Sequence, residues 1–354
     1  MTPMPGLLIP LVLISLIAAA VLTHQMRRYA LRAGQLDRPN ARSSHVVPTP
    51  RGGGVSFVVT TLVATAVIGL LRAIPGSLAL GMLVGGTLVA GIGLLDDRRG
   101  VPARWRFLIH LTAIGWLLWT LDGWNAGLLA STGDGVRALL MGVAVVGGVW
   151  LINLTNFMDG IDGIAGTEAL TTCAGIVACS LLRGANPGAV LLPLALAAGT
   201  LGFLLWNWPP ARIFMGDAGS GFLGFCFATF TFDAAANDPQ LFWCCLILLG
   251  VFITDATVTI IRRQLRGERV TEAHRTHGYQ HAARRWGAHR PVTTTVALVN
   301  VLWLLPCALL AASDRLSGPV ALLCAYAPLL VLAGWARSGA AEAVAGDRAA
   351  GRPS

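Results

Sequence analysis

Lysine is absent from this 354-residue sequence: all 26 basic residues are arginine, which excludes a lysine-based phosphate clamp. Charge of either sign is scarce, at 12% of residues against roughly 25% in soluble domains. With 55% hydrophobic residues and a mean hydropathy of +0.67, neither an ordinary soluble enzyme nor a disordered chain fits. No CxxC pair occurs. The seven cysteines all fall within apolar runs, so they read as small packing residues with no bearing on redox compartment. The net charge of +9, by itself, suits nucleic acid, a membrane surface or an anionic substrate.

Apolar runs dominate. A bilayer core needs about 20 mainly apolar residues per helix, and eleven runs meet or approach that: 6–26, 54–71, 78–95, 107–121, 137–156, 164–182, 188–206, 219–236, 240–261, 292–312 and 319–336. The 107–121 run is the shortest for a crossing. Too little polar chain remains to cover a soluble core built from them. The expected fold is therefore all-α: a polytopic integral membrane helix bundle of about eleven transmembrane helices. No positive residue precedes the first run, while Arg27 and Arg28 follow it, so it reads as an uncleaved helix with its N-terminus outside. Arginines support that orientation. Six lie in 27–51, four in 96–106, one at Arg212, eight in 262–290 and three in the tail, against only Arg72, Arg137, Arg183 and Arg315 in the alternate loops. Residues 1–336 read as a single domain with cytoplasmic loops 27–53, 96–106, 156–163, 206–218 and 262–291, and 337–354 as a short cytoplasmic tail. Gly81 and Gly85 at i, i+4 suit close helix packing.

The cytoplasmic segments hold nearly every unusual residue. The first runs from Asp37 through Asn40, Arg42 and His45 to Arg51-Gly52-Gly53-Gly54, where glycine N–H groups at a helix start suit an anion or simply make a turn. The second, Asp96-Asp97-Arg98-Arg99, sets two carboxylates side by side. They call for a cation, a shared proton or pairing with the adjacent arginines. In the third, Asn156, Asp159 and Asp162 stand at i, i+3, i+6, but Gly160 and Gly163 argue that the helix breaks and turns some of these groups into a cleft. Hard oxygen donors of this kind suit Mg²⁺, and the spacing excludes an EF-hand. The fourth places Asp217 at a helix start among small residues, where a plain N-cap is the bland reading. The fifth, with Glu272, His274, Arg275, His277, His281, Arg284, Arg285, His289 and Arg290, can hold phosphate charge or act as a topogenic basic loop. Asp255, inside the ninth run, is functional by default or pairs with Arg262 or Arg263.

Together these motifs supply what phosphoryl transfer needs: metal ligands, a base for the incoming nucleophile and cations for the leaving group. In their order, Asp37…Arg51-Gly52-Gly53-Gly54, Asp96-Asp97-Arg98, Asn156 through Gly163, Met215 through Ser220 and the histidine loop resemble glycosyltransferase family 4, the polyprenyl-phosphate N-acetylhexosamine-1-phosphate transferases. The resemblance implies a bundle of ten or eleven helices in the bacterial cytoplasmic membrane with a cytoplasmic active site. It implies transfer from a UDP-N-acetylamino sugar to undecaprenyl phosphate, releasing UMP. By that resemblance Asp217 and Asn156 would ligate Mg²⁺, with Mn²⁺ an alternative, and Asp96 or Asp97 would position or deprotonate the lipid phosphate. Asp162 would lie near the uracil and Asp159 would support the pocket. His274, Arg275 and His277 would hold the diphosphate or sugar, His277 among the catalytic groups, and Arg51 would be a further phosphate ligand. Direct attack and a covalent intermediate both stay open, as does a homodimer. The last loop lacks the three adjacent histidines of the peptidoglycan-precursor branch. The wording of 156–163 most resembles initiators of O-antigen or other surface polysaccharides, whose donors include UDP-N-acetylfucosamine, UDP-N-acetylquinovosamine and UDP-N-acetylglucosamine.

Two rivals stand beside it. An ion-coupled transporter would place acids at mid-span and show inverted repeats, yet only Asp255 lies clearly inside a run and no repeat is evident. A scaffold binding anionic lipid through its basic loops leaves the acidic motifs without a role. A nucleic-acid partner is not expected.

Overall fold

The computed structural model describes residues 5–39, 47–121, 133–269 and 274–341. Asn40, Arg42, His45, Glu272 and the tail from 342 onward lie outside the described residues. Each of the eleven apolar runs forms a helix or a broken pair of helices. In chain order these are α1 (Pro5–Arg32), α2 (Val55–Leu70), α3 (Gly76–Arg99), α4 (Ala103–Thr120), α5 (Asp134–Met158), α6 (Ile164–Leu182), α7 (Gly188–Asn207) and α8 (Asp217–Asn237). There follow α9 (Pro239–Leu248), α10 (Gly250–Leu265), α11 (Gly278–Trp286), α12 (His289–Val299), a π-helical turn (Asn300–Leu304), α13 (Leu305–Ala312) and α14 (Gly318–Trp335). By length and composition seven segments suffice to cross a membrane, or eight with the α9–α10 pair counted as one span. Helix α2 is shorter, and α4 and α8 are long enough but more polar. The outer surface is apolar, with Val146 and Leu323 each 70% exposed, as befits contact with lipid tails. The chain is a multi-pass membrane protein.

Helix α8 is the axis of the bundle: every residue from Ala218 to Ala236 is buried. It packs against α3 and α5 at distances only glycine permits. A Cβ on Gly224 would sit 2.5 Å from the Ile152 Cα, and one on Gly93 would sit 2.5 Å from the Asp217 carbonyl oxygen. Small residues admit such close backbone approach where lipid supplies no hydrophobic drive between helices. Helix α7 packs on α1, α2 and α6. Prolines open elements where their missing N–H costs nothing, as Pro239 does at the start of α9 beneath the Asp238 cap.

Two departures from straight spans stand out. The ninth run, expected as one helix, bends by 66° between α9 and α10 at Leu249–Gly250. In the tenth, the chain takes a π turn at Asn300, whose carboxamide nitrogen donates to Glu168 Oε2 at 2.7 Å and Thr171 Oγ1 at 2.8 Å. Glu168 on α6 is fully buried, so Asp255 is not the only acid within the spans, as the sequence suggested. Asp233 on α8 is buried too.

Asp255 itself makes neither of the expected arginine pairs. Its Oδ1 accepts the Gly278 N–H at 2.7 Å and its Oδ2 the Tyr279 N–H at 3.0 Å, which caps α11 and pins it to α10. Arg262 donates instead to the Ser338 carbonyl, and Arg263 pairs with Glu268.

Candidate active site

The acidic motifs meet at one end of the bundle, where α3, α5 and α8 turn. Gly216, at φ +82°, lets the chain enter α8; a Cβ there would lie 2.7 Å from Asp97 Oδ2. Asp97, from the end of α3, caps α8 in trans. Its Oδ1 accepts the Asp217 N–H at 2.9 Å and its Oδ2 the Ala218 N–H at 3.1 Å. The carboxylate also complements the positive end of the helix dipole.

Arg51 forks between two acids, with Nε 2.9 Å from Asp97 Oδ1 and Nη2 2.6 Å from Asp217 Oδ1. Such charge-assisted bonds are the strong, directional kind. Asp96 accepts the Val101 N–H at 2.6 Å and pairs with Arg106, which also lies 3.8 Å from Asp217 Oδ2. The Asp96–Asp97 pair is therefore held by Arg106 and Arg51, not by the adjacent Arg98 and Arg99.

The glycine triplet has a different task from the anion nest that its composition suggested. The N–H groups of Gly52 and Gly53 both donate to the Phe214 carbonyl, and that of Gly54 to Met215. A Cβ on Gly54 would lie 2.6 Å from the Gly219 Cα. The triplet zips the segment before α2 against the entry to α8, and so sets Arg51 beside Asp217.

Helix α5 ends at Met158, as the glycines of 160–163 led one to expect, with Gly163 at φ +74° opening α6. Asn156 Nδ2 reaches Asp217 Oδ1 at 3.2 Å and Ser220 Oγ at 2.9 Å. Asp162 accepts the Ala211 N–H at 3.0 Å, and its Oδ1 lies 3.1 Å from His289 Nδ1. Arg51, Asn156, Asp159, Asp162 and Asp217 all line one cavity of about 220 Å³, joined by Ser220, Gln280 and His289. Burial pushes the Asp159 carboxyl well above the usual carboxylate range; Arg51 opposes this, and the charges of Asp217, Asp97 and Asp162 reinforce it.

The histidine loop divides. Arg275 lines an adjoining cleft of about 610 Å³, which shares Asp162 and His289 with the first cavity and also holds Arg284 and Arg290. His274 and His277 line neither. Their rings stack at 4.8 Å, His277 is 2% exposed against Tyr279, and its backbone N–H donates to Gln280 Oε1. The ring of His277, expected among the catalytic groups, lines neither cavity and packs against Tyr279 at the start of α11 and against His274. Burial lowers the His277 imidazole, and burial followed by the charges of His277 and Arg263 brings His274 down to about 4.

Two residues escaped the sequence reading. In the sequence Arg106 reads only as a topogenic charge, although its spacing of ten from Asp96 on the far side of a Pro-containing turn is a usable signal. His289 was one of several loop histidines, with nothing local to tie it to Asp162, 127 residues away.

Among the described residues no three His, Cys, Asp or Glu side chains converge as a metal cage. Mg²⁺ asks for less: one or two carboxylates, waters and phosphate oxygens. The donor set suits that demand. Five carboxyl groups (Asp96, Asp97, Asp159, Asp162, Asp217) gather near two guanidiniums, Arg51 and Arg106, an excess of negative charge that a divalent cation would offset.

A multi-pass helical bundle with acids and arginines gathered in a cavity at one end has the groups that phosphate chemistry at a membrane calls for. Residues 79–235 match the model of glycosyl transferase family 4. A probable undecaprenyl-phosphate N-acetylglucosaminyl 1-phosphate transferase of Bacillus subtilis is 28% identical over 300 residues, covering 82% of this chain and 81% of the relative. A decaprenyl-phosphate N-acetylglucosaminephosphotransferase of Mycobacterium tuberculosis is 30% identical, over 81% of this chain and 78% of its own. A phospho-N-acetylmuramoyl-pentapeptide-transferase of Rippkaea orientalis is 31% identical over 62% of this chain and 63% of its own. The chain belongs to glycosyl transferase family 4.

Proposed function

We propose that this protein transfers an N-acetylamino-sugar 1-phosphate from a UDP-sugar to undecaprenyl phosphate, yielding undecaprenyl-diphosphate-sugar and UMP. A lipid phosphate oxygen attacks the β-phosphorus, and the bond from that phosphorus to the oxygen bridging the two phosphates breaks to release UMP. The observation that carries this reading is the convergence of Arg51, Asn156, Asp159, Asp162 and Asp217 on one cavity at the end of the bundle.

Asp217 and Asn156 would hold Mg²⁺, or Mn²⁺ in its place; when bound, the ion neutralises phosphate oxygens and stabilises charge on the transferred group. Arg51 holds Asp217 in place and faces the diphosphate as a fixed cation. The Asp97 carboxylate is occupied as a helix cap, and Asp96 is engaged by Arg106. That leaves Asp159, whose carboxyl lines the cavity, as the group that would exchange a proton with the lipid phosphate. Asp162, oriented by His289, lies where the first cavity meets the arginine-bearing cleft and would contact the uracil. Arg275 would reach the nucleotide from that cleft, and the stacked rings of His274 and His277, on either side of it in sequence, would steady its loop.

The arginine bias supports a reading in which this end of the bundle faces the cytoplasm and the protein sits in the bacterial inner membrane. Its place would be the first membrane step of O-antigen or related surface-polysaccharide synthesis. The His274-Arg275-Thr276-His277 order favours this over a peptidoglycan-type transferase. Purified protein is to be incubated with undecaprenyl phosphate, Mg²⁺ and, in turn, UDP-N-acetylfucosamine, UDP-N-acetylquinovosamine, UDP-N-acetylglucosamine and UDP-N-acetylmuramoyl-pentapeptide. One of the first three should release UMP fastest; preference for the pentapeptide donor would move the protein to the other branch.

A further inference from the structure

Beyond the arginine-bearing cleft lies a third cavity of about 580 Å³, which shares Arg275 and Arg284 with it and is also lined by His281, Arg285 and Arg337. Among the described residues, no acidic side chain lines it. Two tryptophans flank it, Trp286 at 40% and Trp335 at 54% exposure, the latter ending the apolar helix α14. Tryptophans placed so mark the level of lipid head groups. The Arg285 guanidinium lies 5.1 Å from the centre of the Trp335 ring, held over the rim of the cavity.

A second, independent observation concerns Arg337. It stands just past the end of α14 with φ +61°, a left-handed backbone conformation that side-chain-bearing residues rarely adopt. Glycine is the usual residue at such a helix end. The exposed Arg337 side chain adds its positive charge to the cavity wall at the cost of that backbone strain.

We propose that this cavity holds the phosphodiester head group of an anionic phospholipid of the surrounding bilayer. The arginines supply several donors to the phosphate oxygens, and the tryptophans fix the cavity at head-group depth. The site is distinct from the transfer chemistry. Its phosphate would lie on the far side of Arg275 and Arg284 from Asp162 and Asp217, with none of the cavity acids within its walls. The proposal does not rest on the donor or acceptor assigned above.

The full chain, purified in neutral detergent, is to be examined by native mass spectrometry with equal amounts of phosphatidylglycerol or phosphatidylcholine. Wild type should retain phosphatidylglycerol at least fivefold more than phosphatidylcholine, and the Arg285→Gln/Arg337→Gln double variant should fall to the phosphatidylcholine level. Equal retention of the two lipids, or unchanged retention in the variant, overturns the proposal. So does full displacement of phosphatidylglycerol by undecaprenyl phosphate or by inorganic phosphate, which would assign the site to the substrate or to a free anion. Arg337→Gly guards against a folding artefact. It should unfold in detergent alone at or above the wild-type temperature, yet lose at least half of the temperature rise that phosphatidylglycerol confers; a full wild-type rise contradicts the proposal.

Discussion

Asp97 on α3 accepts the backbone N–H of Asp217 at the start of α8, so one acid of the cavity is held in place by another. Arg51 bridges the same two residues. The three elements that carry them come from sequence positions up to 166 residues apart. Replacing Asp97 by alanine leaves two N–H donors of α8 without acceptors and should cost about 1–2 kcal/mol, the range for a lost helix cap. Thermal unfolding in detergent measures that loss, and UMP release should fall by more than tenfold in parallel.

Gly216 makes the same junction possible. Alanine there must hold φ near +82° and press its Cβ against Asp97 Oδ2. A strained position of that kind costs on the order of 1–3 kcal/mol. Gly216→Ala should therefore lower both the unfolding temperature and the turnover, whereas Gly91→Ala, at a position with open space around it, should change neither.

Asp159 sets stability against function. Its carboxyl titrates well above the ordinary value, because burial and neighbouring acids disfavour the charge. The folded state then binds a proton that the unfolded chain has released. Stability falls as pH rises from the ordinary carboxylate range through the raised value. Asp159→Asn removes that penalty: it should unfold at a higher temperature than wild type at pH 8, by an amount that shrinks toward pH 4, while losing UMP release.

The buried His274 acts with the opposite sign. Its imidazole, brought down to about 4, stays neutral in the folded protein where the unfolded chain would be charged. Its contribution is present above about pH 6.5, the ordinary imidazole value, and is lost as pH falls toward 4. Unfolding temperatures at pH 7 and pH 5 should differ less for His274→Asn than for wild type.

His289 gives a readout specific to the donor. Its contact with Asp162 Oδ1 orients a group placed near the uracil. His289→Ala should raise the KM for the UDP-sugar about tenfold, the equivalent of about 1.4 kcal/mol, with kcat changed much less. A fall in kcat at constant KM would place His289 in the chemistry instead.

The helices were legible because apolar runs of near-bilayer length admit little else, and the break after Met158 was legible because Gly160 and Gly163 sit inside the acidic motif. The reach of Gly52 and Gly53 to the Phe214 carbonyl was not, since backbone pairing across some 160 residues leaves no local mark. Composition suggested an anion nest where the fold uses the same N–H groups as a zipper. Asp255 misled for a related reason. Its helix offered Arg262 and Arg263 as neighbours, but the N–H groups of α11 form the stronger, bidentate partner. His277 was drawn toward the substrate by its loop, whereas its ring is spent on packing with His274 and Tyr279. The π turn at Asn300 has no local mark in the sequence; its counterpart is the buried Glu168, whose Oε2 accepts from the Asn300 carboxamide.

The central claim is that the cavity around Asp217 carries out metal-assisted sugar-phosphate transfer to a lipid phosphate. The most direct test follows UMP release by purified wild type and Asp217→Asn, with the preferred UDP-sugar, with and without undecaprenyl phosphate, in Mg²⁺ and in EDTA. Release by wild type should need both the lipid and Mg²⁺, and Asp217→Asn should lose it while unfolding within a few degrees of wild type. Release that persists in EDTA, or a fully active Asp217→Asn, would contradict the account.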